Sequence, residues 1–283
     1  MPTFVFPGRA AKGRRPSQVV RNPQTPQAQG LLGWWPLQGD LKDYTAGPNL
    51  PLTMNGLVSP VAFPGSANIG LCAPSNGTTN FAVNNSVVGL GSLTQSLSMS
   101  FWVMQNTATI DGKVFCIGTG SGGINLCTFS SHLAWQRGTD GGVVVEDASI
   151  SLPTYVAQFV VFTNDGTNRV LYRNGLSEAT STTSIDSGTI SRVGLYVNSH
   201  SGFPQGPAAG VFAFDLRFYN RCLSAQDVWI MYDPATRWDL YWVPSTKTFF
   251  DIGAAFNAAT FPRATFDDFA RRPDRMIPSG RVA

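Results

Sequence analysis

Between residues 31 and 244, short apolar segments alternate with turn residues along the chain. In residues 96–103, apolar and polar side chains alternate with a period of two, the pattern of a strand that buries one face. The same character recurs in four further segments, residues 157–163, 168–173, 191–197 and 210–219. Many short strands with no helices between them are typical of a β-sandwich. We therefore predict one all-β domain over residues 31–244.

One segment has a helical pattern instead. In residues 223–232 the apolar positions follow a helical period, and Ser224 with Asp227 three residues later has the spacing of a capping box. The Asp233-Pro234 step that follows disfavours further helix, because the residue before a proline avoids helical backbone angles. We predict a short helix that begins after Ser224 and ends at Asp233.

The composition agrees with a sheet protein. Charged residues make up 13% of the chain, about half of the roughly 25% that is usual, so Ser, Thr, Asn, Gln and Gly must supply most of the polar surface. The 29 Gly and 19 Pro residues supply turns. In particular, the Asp165-Gly166 step between two predicted strands predicts a hairpin, since glycine adopts positive φ angles at little cost.

The formal net charge of +3 is distributed unevenly. The first 21 residues carry basic side chains and no acid, the C-terminal end is rich in Arg, and the region between them is mildly acidic. Residues 1–30 and 245–283 cannot bury enough apolar surface to fold alone, so we predict an extended basic arm and an irregular C-terminal tail. We expect them to bind an acidic protein surface through Arg9, Lys12, Arg14, Arg15, Arg21, Arg271 and Arg272. Nucleic acid is a weaker candidate, because no aromatic side chain that could stack on a nucleobase lies among the basic residues of the N-terminal arm.

Five segments carry a resemblance to a known family. They are residues 35–43 (WPLQGDLKD), 62–66 (AFPGS), 98–103 (SMSFWV), 170–175 (VLYRNG) and 214–227 (FDLRFYNRCLSAQD). In this order they resemble the motifs of laminin-G-like domains of the concanavalin A type, and the last segment is the most specific. The resemblance covers residues 31–235. It implies a lectin-type jelly-roll β-sandwich, to which the ends of the chain would add extended N- and C-terminal arms.

Domains of this kind with basic arms look like those of tailed bacteriophages, where they serve as capsid decorations or tail appendages. The resemblance implies a structural protein of the virion surface, made in the host cytoplasm, that binds capsid or other virion proteins and forms a homo-oligomer. The alternative is a glycan- or receptor-binding module of a tail fibre or a cell surface. A glycan hydrolase is a third and less favoured candidate.

Catalytic residues are scarce. A retaining glycosidase needs two carboxyl groups about 5–5.5 Å apart, whereas the only two Glu, Glu146 and Glu178, are far apart in the sequence. His132 and His200 are the only histidines, and no G-x-S-x-G motif offers a serine nucleophile. We expect no enzymatic activity.

Two kinds of binding site have candidate residues. Calcium prefers carboxylate and carbonyl oxygens, and by family position its ligands would be Asp40, Asp43 and Asp215, although Pro64 stands where the family motif has an acid. We expect that no cofactor is required and that calcium is the one metal to test. A glycan site would combine exposed aromatic rings with hydrogen-bonding side chains, and its candidates are Trp135, Tyr196, Asn198 and His200.

The sequence leaves the state of the cysteines open. Cys72, Cys116, Cys127 and Cys222 contain no C-x-x-C pair. They are compatible with four reduced thiols, packed as small apolar side chains, or with disulfides, Cys116 and Cys127 facing each other across a hairpin. No run approaches the roughly 18 apolar residues of a membrane helix, and the N-terminus lacks the pattern of a signal peptide. We expect no membrane association.

Overall fold

A computed structural model gives the fold of the chain. It describes residues 5–8, 19–45, 50–55, 59–62, 69–72, 81–105, 112–119, 122–129, 132–138, 144–182, 185, 188–197, 211–241 and 243–246. Within these residues nearly all regular structure is β-strand, with one α-helix, α1, at Ala225–Tyr232 and one short 3-10 helix at Pro26–Ala28. The strands are β1 Val5–Gly8, β2 Leu31–Trp35, β3 Thr53–Asn55, β4 Ser59–Ala62, β5 Ile69–Cys72, β6 Phe81–Asn84, β7 Leu97–Gln105, β8 Gly112–Gly118, β9 Gly123–Phe129, β10 His132–Gly138, β11 Val144–Ser151, β12 Gln158–Asn164, β13 Arg169–Arg173, β14 Leu176–Ser181, β15 Arg192–Leu195, β16 Val211–Tyr219 and β17 Val243–Thr246.

Two antiparallel sheets form a sandwich, which confirms the predicted fold class. The seven-stranded sheet has the order β11-β10-β9-β8-β15-β6-β3. The eight-stranded sheet has the order β14-β13-β12-β7-β16-β5-β4, and β2 also pairs with β16. β1 and β17 pair in a sheet of their own. β1 and residues 244–246 of β17 belong to a compact unit separate from the unit Arg9–Val243, which contains the sandwich.

The main core lies between the two sheets. Met99, Phe101 and Val103, at alternate positions of β7, belong to this core and are fully buried. The ring of Phe115 on β8 packs edge-on against Phe101, with 6.1 Å between centroids, and against Trp35, at 6.2 Å. Burial of one such side chain contributes about 1.5–3 kcal/mol to the free energy of unfolding. The alternate apolar positions in residues 96–103 therefore do face the core between the sheets.

The outer face of the eight-stranded sheet is buried as well. Trp102 lies on this face, where its ring stacks on Phe214 at 5.6 Å and lies 6.5 Å from Trp238. Residues 223–241, which include α1, supply the apolar side chains that pack here. The guanidinium of Arg237 lies 5.2 Å from the centre of the Trp102 ring. Because both of its faces are covered, every residue of β7 is buried, and the prediction that this strand buries only one face is wrong.

The helix follows its sequence prediction. Ser224 is the N-cap, its hydroxyl accepts a hydrogen bond from the Asp227 backbone N–H at 3.1 Å, and the Asp227 carboxylate accepts one from the Ser224 N–H at 3.0 Å. The helix ends at Tyr232 with Asp233 as its C-cap. The carboxylate of Asp227 also binds Arg221, at 2.8 Å.

The predicted hairpin joins β12 and β13. Gly166 has a φ of +98°, and the carboxylate of Asp165 accepts backbone hydrogen bonds from Thr167 at 2.7 Å and Asn168 at 2.6 Å. The side-chain amide of Asn168 and these backbone donors lower the pKa of Asp165 to about 2. The turn therefore forms from local hydrogen bonds, as its sequence indicated.

The ordered body begins before residue 31. The sequence assigned residues 19–30 to the N-terminal arm, but in the structure they lie against the segment that ends at Tyr241. Arg21 forms a backbone bridge with Tyr241, and the Asn22 N–H donates to the Leu240 carbonyl at 2.7 Å. Gln27 is only 2% exposed. Local composition could not show this, because the contacts join residues about two hundred positions apart.

The other basic residues that are predicted to bind a partner lie outside the described residues. They are Arg9, Lys12, Arg14, Arg15, Arg271 and Arg272. In the part of the chain that the structure describes, no helix has the length and apolar character of a membrane-spanning segment.

Candidate functional site

Asp43, a predicted calcium ligand, organises the loop that follows β2. Its Oδ1 accepts hydrogen bonds from the backbone N–H groups of Trp34 at 3.0 Å and Thr45 at 2.9 Å. Its Oδ2 accepts one from the Leu50 N–H at 3.1 Å. A carboxylate with three backbone donors ties together the two ends of a loop, which is a structural role.

Asp215 lies in a buried polar network on the outer face of the eight-stranded sheet. Its Oδ1 accepts from the Trp34 indole N–H at 2.8 Å and the Tyr241 hydroxyl at 2.9 Å, and its Oδ2 accepts from Arg217 at 2.6 Å. Arg217 in turn donates to Oε1 of Gln27 at 2.7 Å. Burial disfavours the charged guanidinium, but the carboxylate of Asp215 together with Tyr219 and Tyr241 outweighs this effect and raises the pKa of Arg217. This network joins residue 27, β2, β16 and Tyr241.

The third aspartate, Asp40, accepts a hydrogen bond from the Tyr44 hydroxyl at 2.8 Å. Burial and this bond raise the pKa of Tyr44 to about 12. Each predicted calcium ligand thus has its own set of protein donors, and no cluster of three metal-ligating side chains occurs among the described residues. The structure does not bring Asp40, Asp43 and Asp215 together as one calcium site.

The prediction that Trp135 and Tyr196 bind a glycan is wrong. Trp135 and Tyr196 are both 0% exposed and belong to the main core. Trp135 faces inward from β10 and packs against Phe162, with 5.2 Å between ring centroids. Neither ring can stack on a sugar in solution. Asn198 and His200 lie outside the described residues.

The cysteine pairing considered from the sequence does not match the strand register. In the β8–β9 hairpin, Cys116 lies opposite Asn125, and Cys127 lies opposite Lys113. The two cysteines therefore do not face each other. Burial raises the pKa of Cys116 to about 12, although Arg192 opposes this shift, so its thiol stays protonated in the folded protein.

The two glutamates lie on different sheets. Glu146 belongs to β11 of the seven-stranded sheet, and Glu178 belongs to β14 of the eight-stranded sheet. The carboxylate of Glu178 accepts hydrogen bonds from the Arg173 guanidinium at 2.8 and 3.1 Å. This ion pair occupies Glu178 in a surface contact.

The sequence missed four exposed apolar side chains at the end of the sandwich where β12 begins and β13 ends. We call this group the aromatic rim, and it consists of Tyr155, Val156, Leu176 and Trp229, which are 66%, 48%, 62% and 45% exposed. The Asn174-Gly175 turn joins β13 to β14. It is fixed to the start of β12, because the Asn174 amide donates to Oε1 of Gln158 at 2.6 Å.

Trp229 rests on this turn. A Cβ atom at Gly175 would lie 2.7 Å from the indole Cε3, so only glycine allows the ring to approach so closely, and Gly175 has a φ of +87°. Tyr232 packs edge-on against the indole at 5.9 Å. On the same helix Val228 and Met231 are buried. The indole is thus held on one side and open to solvent on the other.

Tyr155 is held by its backbone. Its φ of +59° lies in the left-handed region, where the backbone of residues other than glycine is strained. Its N–H donates to the Gln105 carbonyl at 2.8 Å. The side-chain amide of Gln105 donates to the Leu152 carbonyl at 2.6 Å. These bonds fix a strained backbone so that a large aromatic side chain remains in solvent.

The aromatic rim has the chemistry of a shallow binding surface. Exposed Trp and Tyr rings combine a large apolar surface with a polar tip, which suits partly polar ligands such as sugars. Arg173, beside the turn, is held by Glu178 and by the Ser151 carbonyl at 2.6 Å. The helical pattern could have predicted that Trp229 lies outside the buried face formed by Val228 and Met231. It could not have predicted that the indole contacts the turn at Gly175.

Comparisons with known proteins agree with this fold. The family model of the concanavalin A-like lectin/glucanase superfamily matches residues 75–229, which is more than half of the chain. No curated protein sequence matches the chain.

Among solved structures, the fold is similar to the following three of botulinum neurotoxins. One is the DC binding domain in complex with SialylT, with a TM-score of 0.55 and 16% identity, where 72% of this chain and 51% of that chain are covered. Another is the DC binding domain in complex with rat synaptotagmin II, with a TM-score of 0.56, 16% identity and the same coverage of 72% and 51%.

The third is neurotoxin type C, whose cell entry depends on two ganglioside molecules, with a TM-score of 0.57, 16% identity and coverage of 75% and 52%. The chain therefore spans about half the length of these neighbours. Identities this low show a shared fold and nothing finer. The matched family model shows more, and the chain belongs to the concanavalin A-like lectin/glucanase superfamily.

Proposed function

We propose that this chain is a lectin-type binding module that recognises a glycan through the aromatic rim and catalyses no reaction. The observation that carries the proposal is the position of Tyr155 and Trp229, two large aromatic side chains that remain 66% and 45% exposed although the backbone and the turn around them are fixed. Two large aromatic side chains exposed at the same end of the sandwich offer an apolar surface for an interaction.

The fold supports a binding role. The similar neurotoxin domains are described in complex with SialylT and in connection with gangliosides, so this sandwich is compatible with glycan recognition in other proteins. The engagement of Glu178 by Arg173 supports the absence of hydrolysis, because that carboxylate is committed to an ion pair.

A glycan array tests this function. We expect the full chain to bind a defined subset of the array, and the Val88→Ala variant to give the same pattern. Val88 is a suitable control because it is 73% exposed and belongs to the loop that contacts Asn164, at the opposite end of β12 from the rim. Bound glycans should be recovered intact by mass spectrometry. A blank array or cleaved glycans would overturn the proposal.

We further propose that the module is displayed on a bacteriophage virion surface as a homo-oligomer, and that the ends of the chain attach it to capsid or other virion proteins. The observation that favours this arrangement is the charge distribution. The first 21 residues contain Arg and Lys but no Asp or Glu, and the body of the chain is mildly acidic.

Particle attachment tests this context. We expect the full chain to copurify with the virions it decorates. Replacement of Arg9, Lys12, Arg14 and Arg15 by Ser should abolish attachment and leave the unfolding curve of the protein unchanged. If the substituted chain attaches as well as the original one, these bases do not anchor it.

A further inference from the structure

We propose that residues 1–18 and 244–283 form one composite anchor, in which the pairing of β1 with β17 makes the basic residues of both ends bind an acidic protein surface together. This inference deepens the proposed attachment to a particle and rests on it for the source of the partner. The pairing and its effect on binding can be tested without a particle.

The two ends of the chain pair with each other at two places. In the unit that contains the sandwich, Arg21 forms an antiparallel backbone bridge with Tyr241, and the side-chain amide of Asn22 donates to the Asp239 carbonyl at 3.2 Å. In the separate unit, β1 pairs with β17. In each unit, a segment from the start of the chain therefore pairs with a segment from its end.

Four basic residues of the N-terminal end lie between these two pairings. Arg9, Lys12, Arg14 and Arg15 follow β1 in the sequence and precede Arg21. The segment that carries them is thus flanked on both sides by residues that pair with the C-terminal part of the chain. Closing a chain into a loop lowers its conformational entropy, so ordering these bases on a partner requires a smaller loss of entropy than ordering those of a free arm.

Both ends are basic, whereas the body between them is acidic. Residues 1–18 contain four Lys and Arg and no acid, and residues 244–283 contain six Lys and Arg and four Asp, which gives the two ends a net charge of +6 together. Residues 19–243 contain ten Lys and Arg and thirteen Asp and Glu. The pairing therefore couples a positive charge that neither end carries alone, and this charge favours an acidic partner.

A protein surface fits this anchor better than a nucleic acid does. A nucleic acid presents phosphates throughout, and these repel the four Asp of the C-terminal end. An acidic protein surface also carries basic and apolar groups, which can accommodate those Asp and the Phe residues among them. The composite anchor is therefore assigned to a protein partner.

Coupling makes two weak contacts strong. Two linked segments bind a surface more tightly than either does alone, by about 10²–10⁴, because the second contact forms at a high effective concentration. A two-stranded sheet is only marginally stable in water, so few substitutions in β17 should uncouple the ends. The composite anchor thus predicts that binding by the N-terminal bases depends on β17, although β17 itself carries no charged residue.

Proline substitutions in β17 test the pairing. Ser245→Pro together with Thr246→Pro leaves residues 244–246 without a backbone N–H, because Pro244 already has none. Ser245→Ala together with Thr246→Ala keeps both N–H groups and is the matched control, and neither variant changes the net charge. We expect the backbone amides of β1 to exchange hydrogen at least about fivefold faster in the proline variant than in the control. Equal exchange rates would overturn the pairing.

Binding to acidic polymers tests the partner. Poly-L-glutamate is the probe, and double-stranded DNA with the same number of charges is the comparison at the same ionic strength. We expect the full chain and the alanine variant to bind polyglutamate equally, and the proline variant to bind it at least about tenfold more weakly. Equal affinity of the proline variant, or no binding by the full chain, would overturn the composite anchor, and tighter binding to DNA would overturn the assignment to a protein. Failure of the full chain to copurify with virions, with the coupling intact, would contradict only the proposed location.

Discussion

At the scale of single residues, the most consequential feature is the buried pair of Asp215 and Arg217. Both side chains are 1% exposed, and the pair holds the indole of Trp34 and the hydroxyl of Tyr241 in one network. Removal of one partner of a buried ion pair leaves the other charge without compensation. The exposed pair of Arg173 and Glu178 lacks this property, because water can replace either partner.

The two pairs predict different costs of substitution. Asp215→Ala should lower the free energy of unfolding by about 3–5 kcal/mol, whereas Glu178→Ala should change it by less than about 1 kcal/mol. Urea denaturation followed by tryptophan fluorescence measures both values. Equal effects of the two substitutions would show that the Asp215 network does not stabilise the fold.

The thiol of Cys116 predicts a dependence on pH. Burial raises its pKa to about 12 from the ordinary 9.0, so the folded protein keeps the proton that an unfolded chain releases. The stabilising contribution of this thiol is complete below pH 9.0 and is lost as the pH rises toward 12. At pH 9.0, iodoacetamide should leave Cys116 unmodified in the native protein, and modify it after unfolding, as peptide mass spectrometry can show. Rapid native modification would contradict the burial of this thiol.

At the scale of elements, α1 shows how a local sequence pattern fixes a tertiary surface. The capping box of Ser224 and Asp227 starts the helix, and the helix then places Trp229 on the turn at Gly175. The loss of the cap therefore weakens both the helix and the support of the rim.

The cap predicts a modest and local loss of stability. Ser224→Ala removes the hydroxyl that accepts from the Asp227 N–H, and should lower the free energy of unfolding by about 1 kcal/mol. Gln226→Ala, an exposed substitution in the same first turn, is the matched control and should have little effect. If both variants unfold at the same urea concentration as the original protein, the capping box contributes nothing.

The elements also show which features a sequence can predict. The hairpin at residues 164–167 and the helix after Ser224 depend on neighbouring residues, and both were predicted. Trp135 and Trp229 were not distinguished correctly, because the exposure of a ring depends on its distant partners. Trp135 meets Phe162 of the other sheet, and Trp229 meets a turn more than fifty positions away.

At the scale of the whole molecule, the fold followed from the order of family motifs, but the boundary of the body did not. Gln27 joins the body through Arg217 and through its own bond to the Thr236 carbonyl at 2.7 Å. These contacts join residues that are 190 and 209 positions apart in the sequence. No composition of residues 19–30 could predict them, because Pro and Gln residues are equally typical of an extended arm.

The boundary can be tested by truncation. A chain that begins at residue 19 lacks β1, which belongs to the separate unit, and its sandwich should keep the stability that it has in the full chain. A chain that begins at residue 31 lacks Gln27 and should lose about 2 kcal/mol or more, because a buried arginine loses one of its acceptors. Urea unfolding of both truncated chains measures the difference. Equal stability would place residues 19–30 outside the folded body.

The central claim is that this member of the lectin/glucanase superfamily binds a glycan through its aromatic rim. Isothermal titration with the strongest ligand from the glycan array tests it most directly. Trp229→Ala and Tyr155→Ala should each weaken binding at least about tenfold, because each removes an aromatic contact of roughly 1.4 kcal/mol or more, while Val88→Ala should leave the affinity unchanged. Unchanged affinity in both rim variants, with normal unfolding curves, would contradict the account and place the glycan site elsewhere on the sandwich.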